Sequence, residues 1–245
     1  MPSGLLLLHA FPLDASMWQP QVDNLGVSMP IVAPNLPGFG GTAPAGTVTS
    51  MEAIADAGVE AARAAGLDRV IVCGLSMGGY AALALWRKHR QFVVGMVLAN
   101  TRAGADDEAG KGRRIALAER LRAEGTGFLV ESPPPLLSAG ADAELLARVK
   151  SIIAAQPAEG IAAASLGMAE RPDSSDLLPR LDVPVTVITS TGDTLIPPAA
   201  TEEMAHGIDG SEFRIIEGAG HLSNLEAPEQ FNTLLREFIS QRRAW

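Results

Sequence analysis

A single cysteine, Cys73, occurs in 245 residues, so no intramolecular disulfide can form and no cluster of thiolates can hold a metal. Positive charge is also scarce, with 19 Lys and Arg against 28 Asp and Glu and a formal net charge of -9. That balance opposes a broad electrostatic grip on nucleic acid or an anionic membrane, and leaves small molecules as the expected partners. No apolar run approaches the ~20 residues of a membrane span. The run from Leu5 to Leu8 is too short even for the apolar part of a secretory leader, and no basic residue precedes it. A cytoplasmic location is the expectation that follows. Internal repeats, charge runs and a P-loop are likewise missing. What is present is a globular composition, 47% hydrophobic and 19% charged, of a length that suits one large domain or one domain carrying an insertion.

Short apolar runs alternate with longer segments of helical pattern, the signature of a mainly parallel sheet covered by helices. Strands are expected over 4–9, 30–34, 69–74, 93–100, 183–191 and 212–217. Helices are expected over 50–66 and 78–89, and a final amphipathic one over 228–242. Between about 103 and 181 the strand signals stop, and helix-forming segments such as 113–124 and 143–155 take over. A simple crossover needs one helix, and this stretch offers three or four. The expected organisation is therefore a sheet-bearing core over 1–102 and 182–245 with a helical cap over 103–181.

Gly74-Leu75-Ser76-Met77-Gly78 matches G-x-S-x-G immediately after an apolar strand and before a helix, the setting of a nucleophile elbow. A serine there sits on a sharp turn in strained dihedrals, and glycine two residues to either side lets the backbone close. Its hydroxyl needs a base, and the base needs an orienting carboxylate. Asp193 follows the strand 183–191 and His221 follows the strand 212–217, both at the edge where open α/β sheets keep their sites. Each alone reads as a turn or structural residue; the ordered combination points to a catalytic triad. The other histidines compete poorly. His89 and His206 fall on helices, and His9 is expected to matter through its backbone. After the strand 93–100 stands Asn100, which is no carboxylate. An oxyanion would need two N–H donors, assigned to Met77 at the helix N-terminus and Phe11 in the first loop.

The residues resemble the α/β-hydrolase superfamily over essentially the whole chain, through His9-Ala10-Phe11, Pro37-Gly38-Phe39-Gly40, the elbow, Thr191-Gly192-Asp193 and Gly218-Ala219-Gly220-His221. Small bacterial esterases, enol-lactonases and cofactor-free haloperoxidases are the nearest groups. The Ser76-Met77 pair, Asn100-Thr101 and the stretch from Asp14 to Trp18 look like the 3-oxoadipate enol-lactonase side. The resemblance implies a triad at Ser76, Asp193 and His221, a helical cap over the site and no cofactor; with the strand pattern it gives an α/β-hydrolase fold of about six strands with helices on both faces, and no metal is expected because no metal-ligand spacing is present. It departs at three points. Ala10 replaces a usual glycine, and a positive φ there would cost about 1 kcal/mol. Asn35 replaces a common aspartate. The usual leading antiparallel hairpin is not expected, which leaves a strand edge to be protected.

The expected activity is hydrolysis of a small carboxylic ester or lactone through an acyl-enzyme. A perhydrolase, lyase or C–C hydrolase using the same triad, and a low-turnover receptor on the same fold, remain alternatives. Within the cap, Leu129, Val130, Leu136, Leu137, Leu166 and Met168 are candidates to face the pocket, with Trp18 flanking it.

Overall fold

The computed structural model describes residues 3–241. Among these, β1 (Ser3–Leu8), β2 (Ile31–Val32), β3 (Arg69–Leu75), β4 (Val93–Ala99), β5 (Val185–Ser190) and β6 (Glu212–Ile216) form one parallel sheet in the order β2-β1-β3-β4-β5-β6. All six expected strands are present. Leu5 to Leu8 are 0% exposed, which explains why β1 reads as an unbroken apolar run rather than an alternation. It does not lie at the sheet's edge: β1 pairs with both β2 and β3, and the edge on that side is the two-residue β2, a small template for another chain.

The helices are α1 (Gln19–Leu25), α2 (Met51–Ala64), α3 (Met77–His89), α4 (Glu108–Glu124), α5 (Gly127–Glu131), α6 (Ala143–Ala154), α7 (Ala158–Glu170), α8 (Pro198–His206), α9 (Ser223–Glu226) and α10 (Pro228–Ser240). The last residues expected in α10, 241 and 242, fall at its cap and outside the described residues. α4 starts five residues earlier than its apolar pattern suggests, because the Asp107 side chain caps it by accepting from the Gly110 N–H at 2.7 Å. Among the described residues no single helix is long and apolar enough to cross a membrane.

Four helices, α4 to α7, lie between β4 and β5. α7 had no amphipathic signature because it is buried almost all round, from Gly160 to Ala169. It is fastened to the loops after β2. A Cβ on Gly160 would stand 1.8 Å from the Gly38 carbonyl oxygen, and one on Gly167 would stand 1.8 Å from that of Thr49. The Thr49 N–H donates to the Ala163 carbonyl at 2.9 Å. Two glycines thus allow backbone-to-backbone contact that any side chain would forbid.

The order of the sheet reverses between β1 and β3, so the loops that leave their C-terminal ends diverge and open a crevice there. Phe11 follows β1, Ser76 follows β3, Asn100 follows β4, Asp193 follows β5 and His221 follows β6.

Candidate active site

Ser76 separates β3 from α3 at φ 56° and ψ -114°, a conformation that costs an L-residue of order 1–3 kcal/mol. The glycines on either side pay their expected role: a Cβ on Gly74 would lie 2.1 Å from the Gly78 carbonyl oxygen, and one on Gly78 would lie 2.0 Å from that of Leu8. The Ser76 N–H donates to the Ala99 carbonyl at 3.0 Å, and its own carbonyl accepts from Thr101 Oγ1 at 2.9 Å. The turn is therefore held from both ends.

His221 Nδ1 lies 2.8 Å from Asp193 Oδ2, and both side chains are buried. Asp193 Oδ1 accepts from the N–H groups of Leu195 and Ile196 at 2.9 and 3.0 Å, while Oδ2 also accepts from Asn100 Nδ2 at 3.0 Å. Burial alone would push this carboxyl up, but the hydrogen bond and charge of His221, with the donors just named, hold it below the usual carboxylate range. It remains ionised and able to accept from His221.

Ser76, His221 and Phe11 line one cavity of about 740 Å³. The amides of Phe11 and Met77 have no acceptor among the described residues, as an oxyanion hole requires of its donors. Ala10 takes no positive φ, since outside glycine only Ser76 and Asn100 do so among the described residues; alanine there is unstrained. Asn35 accepts from the Ala15 N–H at 3.0 Å and donates to the Gly40 carbonyl at 2.9 Å, tying two loops together without needing a charge.

The pocket candidates divide. Leu129, Leu136 and Met168 line the cavity. Trp18 does not: it is 0% exposed and packs on Phe231 with ring centroids 5.9 Å apart, so it belongs to the core beneath α10. Leu166 does not line it either, since α7 is fixed to the core and turns this residue into its packing. Val130 is also outside the wall, and Leu137 borders a neighbouring groove.

Three residues support the site in roles that the sequence did not announce. Asn100, set aside as chemically unsuited, donates to Asp193 and to Ser190 Oγ at 2.7 Å and accepts from Ser223 Oγ at 2.6 Å. Glu226 accepts from the Gly220 N–H at 2.7 Å and from Ser138 Oγ at 2.6 Å, bolting the loop of His221 to the segment after α5. His9, expected to act through its backbone, acts through its ring. The Leu36 N–H donates to Nε2 at 3.1 Å, which leaves the proton on Nδ1 for the Ala10 carbonyl at 3.0 Å.

Burial lowers the His9 imidazole from 6.5 to about 4, against a smaller upward pull from its hydrogen bond to Ala10. As pH falls below 6.5 the unfolded chain takes up this proton first, so stability is complete above that value and is lost on the way down to about 4. Urea unfolding should show this loss at up to about 1.4 kcal/mol per pH unit. His9→Gln, which cannot titrate, should lack that component of the slope; an identical slope in the variant would refute the assignment.

The sequence matches the model of the alpha/beta hydrolase family over residues 5–234. In three dimensions it is similar to a thermophilic esterase from Thermogutta terrifontis, solved with malate bound, with a TM-score of 0.93 and 40% identity over 98% of this chain and 90% of that one. It is 27% identical to 3-oxoadipate enol-lactonase 1 of Acinetobacter baylyi, covering 96% of this chain and 88% of that protein. It is also 29% identical to a pimeloyl-[acyl-carrier protein] methyl ester esterase of Neisseria meningitidis, covering 95% and 75% respectively. With the family pattern running through nearly every strand and helix described above, the chain belongs to the alpha/beta hydrolase family.

Proposed function

We propose that the protein hydrolyses a small carboxylic ester or lactone, with Ser76 as nucleophile, His221 as general base and then general acid, and Asp193 orienting His221. One observation carries the reading: Ser76 and His221 open on the same cavity, while the carboxylate of Asp193 meets His221 Nδ1 from the buried side at 2.8 Å. That contact keeps the proton on Nδ1 and leaves Nε2 as the basic atom. Ser76 Oγ attacks the carbonyl carbon as its proton passes to His221. The developing oxyanion is received by the Phe11 and Met77 amides, the latter at the N-terminus of α3. The imidazolium returns the proton to the leaving alkoxide, and water then repeats the sequence on the acyl-enzyme. The esterases and the enol-lactonase among its relatives support ester and lactone substrates.

Residues 103–181 serve in this reading as a cap that sets substrate choice, since α4, α5 and the segment after them supply much of the cavity wall. Leu136 is the informative position: its carbonyl accepts from the Leu222 N–H at 2.9 Å, next to His221, and its side chain lines the cavity. Leu136→Ala should change relative kcat/KM among acyl chain lengths by about tenfold, the value of a few buried methylenes. An unchanged chain-length profile would remove Leu136 from the pocket. The activity itself is tested by a panel of p-nitrophenyl esters, lactones and, for the perhydrolase alternative, peroxide with acetate. Ester or lactone turnover that is lost with Ser76 supports the proposal; turnover of none of them by pure protein overturns it.

A further inference from the structure

Charge is unevenly placed around this cavity. A chain of net charge -9 lines it with Arg102, Arg113, Arg114 and Arg120 against only two carboxylates, Asp106 and Glu131. Asp106 is already occupied, because Arg102, Arg114 and Arg171 all close on it, Arg171 Nη1 at 2.9 Å from Oδ2. One carboxylate facing three guanidiniums leaves positive charge in excess. Arg120 is engaged with Glu124 at 2.9 Å and lies over the Phe128 ring at 3.8 Å. Arg113 differs from all of these: it is exposed on the cavity wall and no carboxylate or carbonyl partner is found for it among the described residues.

Helical spacing explains how these groups gather. Gly110, Arg113, Arg114, Leu117 and Arg120 recur at intervals of three and four along α4 and share its cavity-facing side. A solvated surface face would scatter such arginines among acids and away from apolar groups. Here they stand beside Leu117, Phe128 and Leu129 in the wall of the same cavity as Ser76.

We infer that the substrate carries a carboxylate at the end remote from its scissile carbonyl, and that Arg113 receives it, with the excess charge of the Asp106 cluster behind it. This rests on the hydrolase reading and adds a substrate class to it. A guanidinium meets a carboxylate through two parallel hydrogen bonds, and the guanidiniums of Arg102 and Arg114 in the same wall add to the attraction. The apolar side chains between then accept the methylenes that join the two ends of the substrate.

The test compares monomethyl adipate with methyl hexanoate and dimethyl adipate, which are neutral. At low ionic strength kcat/KM should favour the anionic ester by about ten- to a hundredfold, and the preference should shrink as salt is raised. Arg113→Ala should lower the ratio of anionic to neutral kcat/KM about tenfold, chiefly through KM, and Arg113→Lys should restore part of it. Arg122→Ala, on the same helix but paired with Glu159 outside the cavity wall, should leave the ratio as it is. Equal kcat/KM for charged and neutral esters, or a ratio indifferent to Arg113, overturns the inference while the hydrolase reading stands. Calorimetric binding of monomethyl and dimethyl adipate to the Ser76→Ala protein decides it independently of turnover: tighter binding of the monoester, weakened by adding Arg113→Ala, supports it, and equal binding overturns it.

Discussion

Ser76→Ala is expected to lower turnover of a p-nitrophenyl ester by about four to six orders of magnitude while the fold stays intact. The serine sits at an enforced turn whose shape depends on Gly74, Gly78 and the bonds to Ala99 and Thr101, none of which involves its Oγ. His221→Ala should cost a similar factor, and the double variant scarcely more than either, because nucleophile and base act as one unit. Asp193→Asn should lose about 10⁴-fold, since an amide can place an N–H towards His221 Nδ1 and so move the imidazole proton to Nε2, where it faces the nucleophile. A fluorophosphonate probe should label Ser76 in the wild-type protein and nothing in Ser76→Ala. Near wild-type activity in purified Ser76→Ala would remove the proposed mechanism altogether.

The parts of this site that were legible in the sequence are those where chemistry and local backbone geometry coincide. Gly74 and Gly78 announce the elbow because no other residue fits against the carbonyls of Gly78 and Leu8. Asp193 and His221 announce themselves by standing in the loops that follow consecutive strands, β5 and β6. What stayed hidden depends on contacts distant in the chain. Asn100 supports Asp193 across 93 residues, and Glu226 reaches Ser138 across 88. His9 looked idle because the loop it pins, at Leu36, is 27 residues away. Trp18 and Leu166 were drawn towards the pocket by their size and apolarity alone, properties that serve a core equally well; Phe231 and the glycine-fastened α7 decide the matter. The same ambiguity hid α7 itself, since a helix buried on every side has no polar face to mark its period.

Asp106→Ala is expected to destabilise the protein by about 3–5 kcal/mol, the cost of breaking a buried ion pair from one side. The Asp106 side chain is 3% exposed and so is that of Arg171, which also donates to the carbonyls of Met168 at 2.8 Å and Gly104 at 2.9 Å and lies over the Tyr80 ring. Removing the carboxylate leaves this guanidinium buried with two more beside it, and mutual repulsion replaces attraction. For a chain of this size the loss corresponds to a fall in Tm of roughly 10 °C. Acid should reproduce part of the effect. Burial pushes the Asp106 carboxyl up, but Arg171 and Arg114 outweigh it and hold the group well below the usual carboxylate range. Its contribution is therefore complete above the unfolded value of 3.8 and is lost as pH falls below that towards the folded value. Wild-type stability should drop in that window, and Asp106→Ala should lack this part of the drop. Asp106→Asn separates charge from shape: it keeps the hydrogen-bonding outline but not the charge, and should recover only a minor share of the lost stability. Full recovery by asparagine would mean that the three arginines are held by geometry alone.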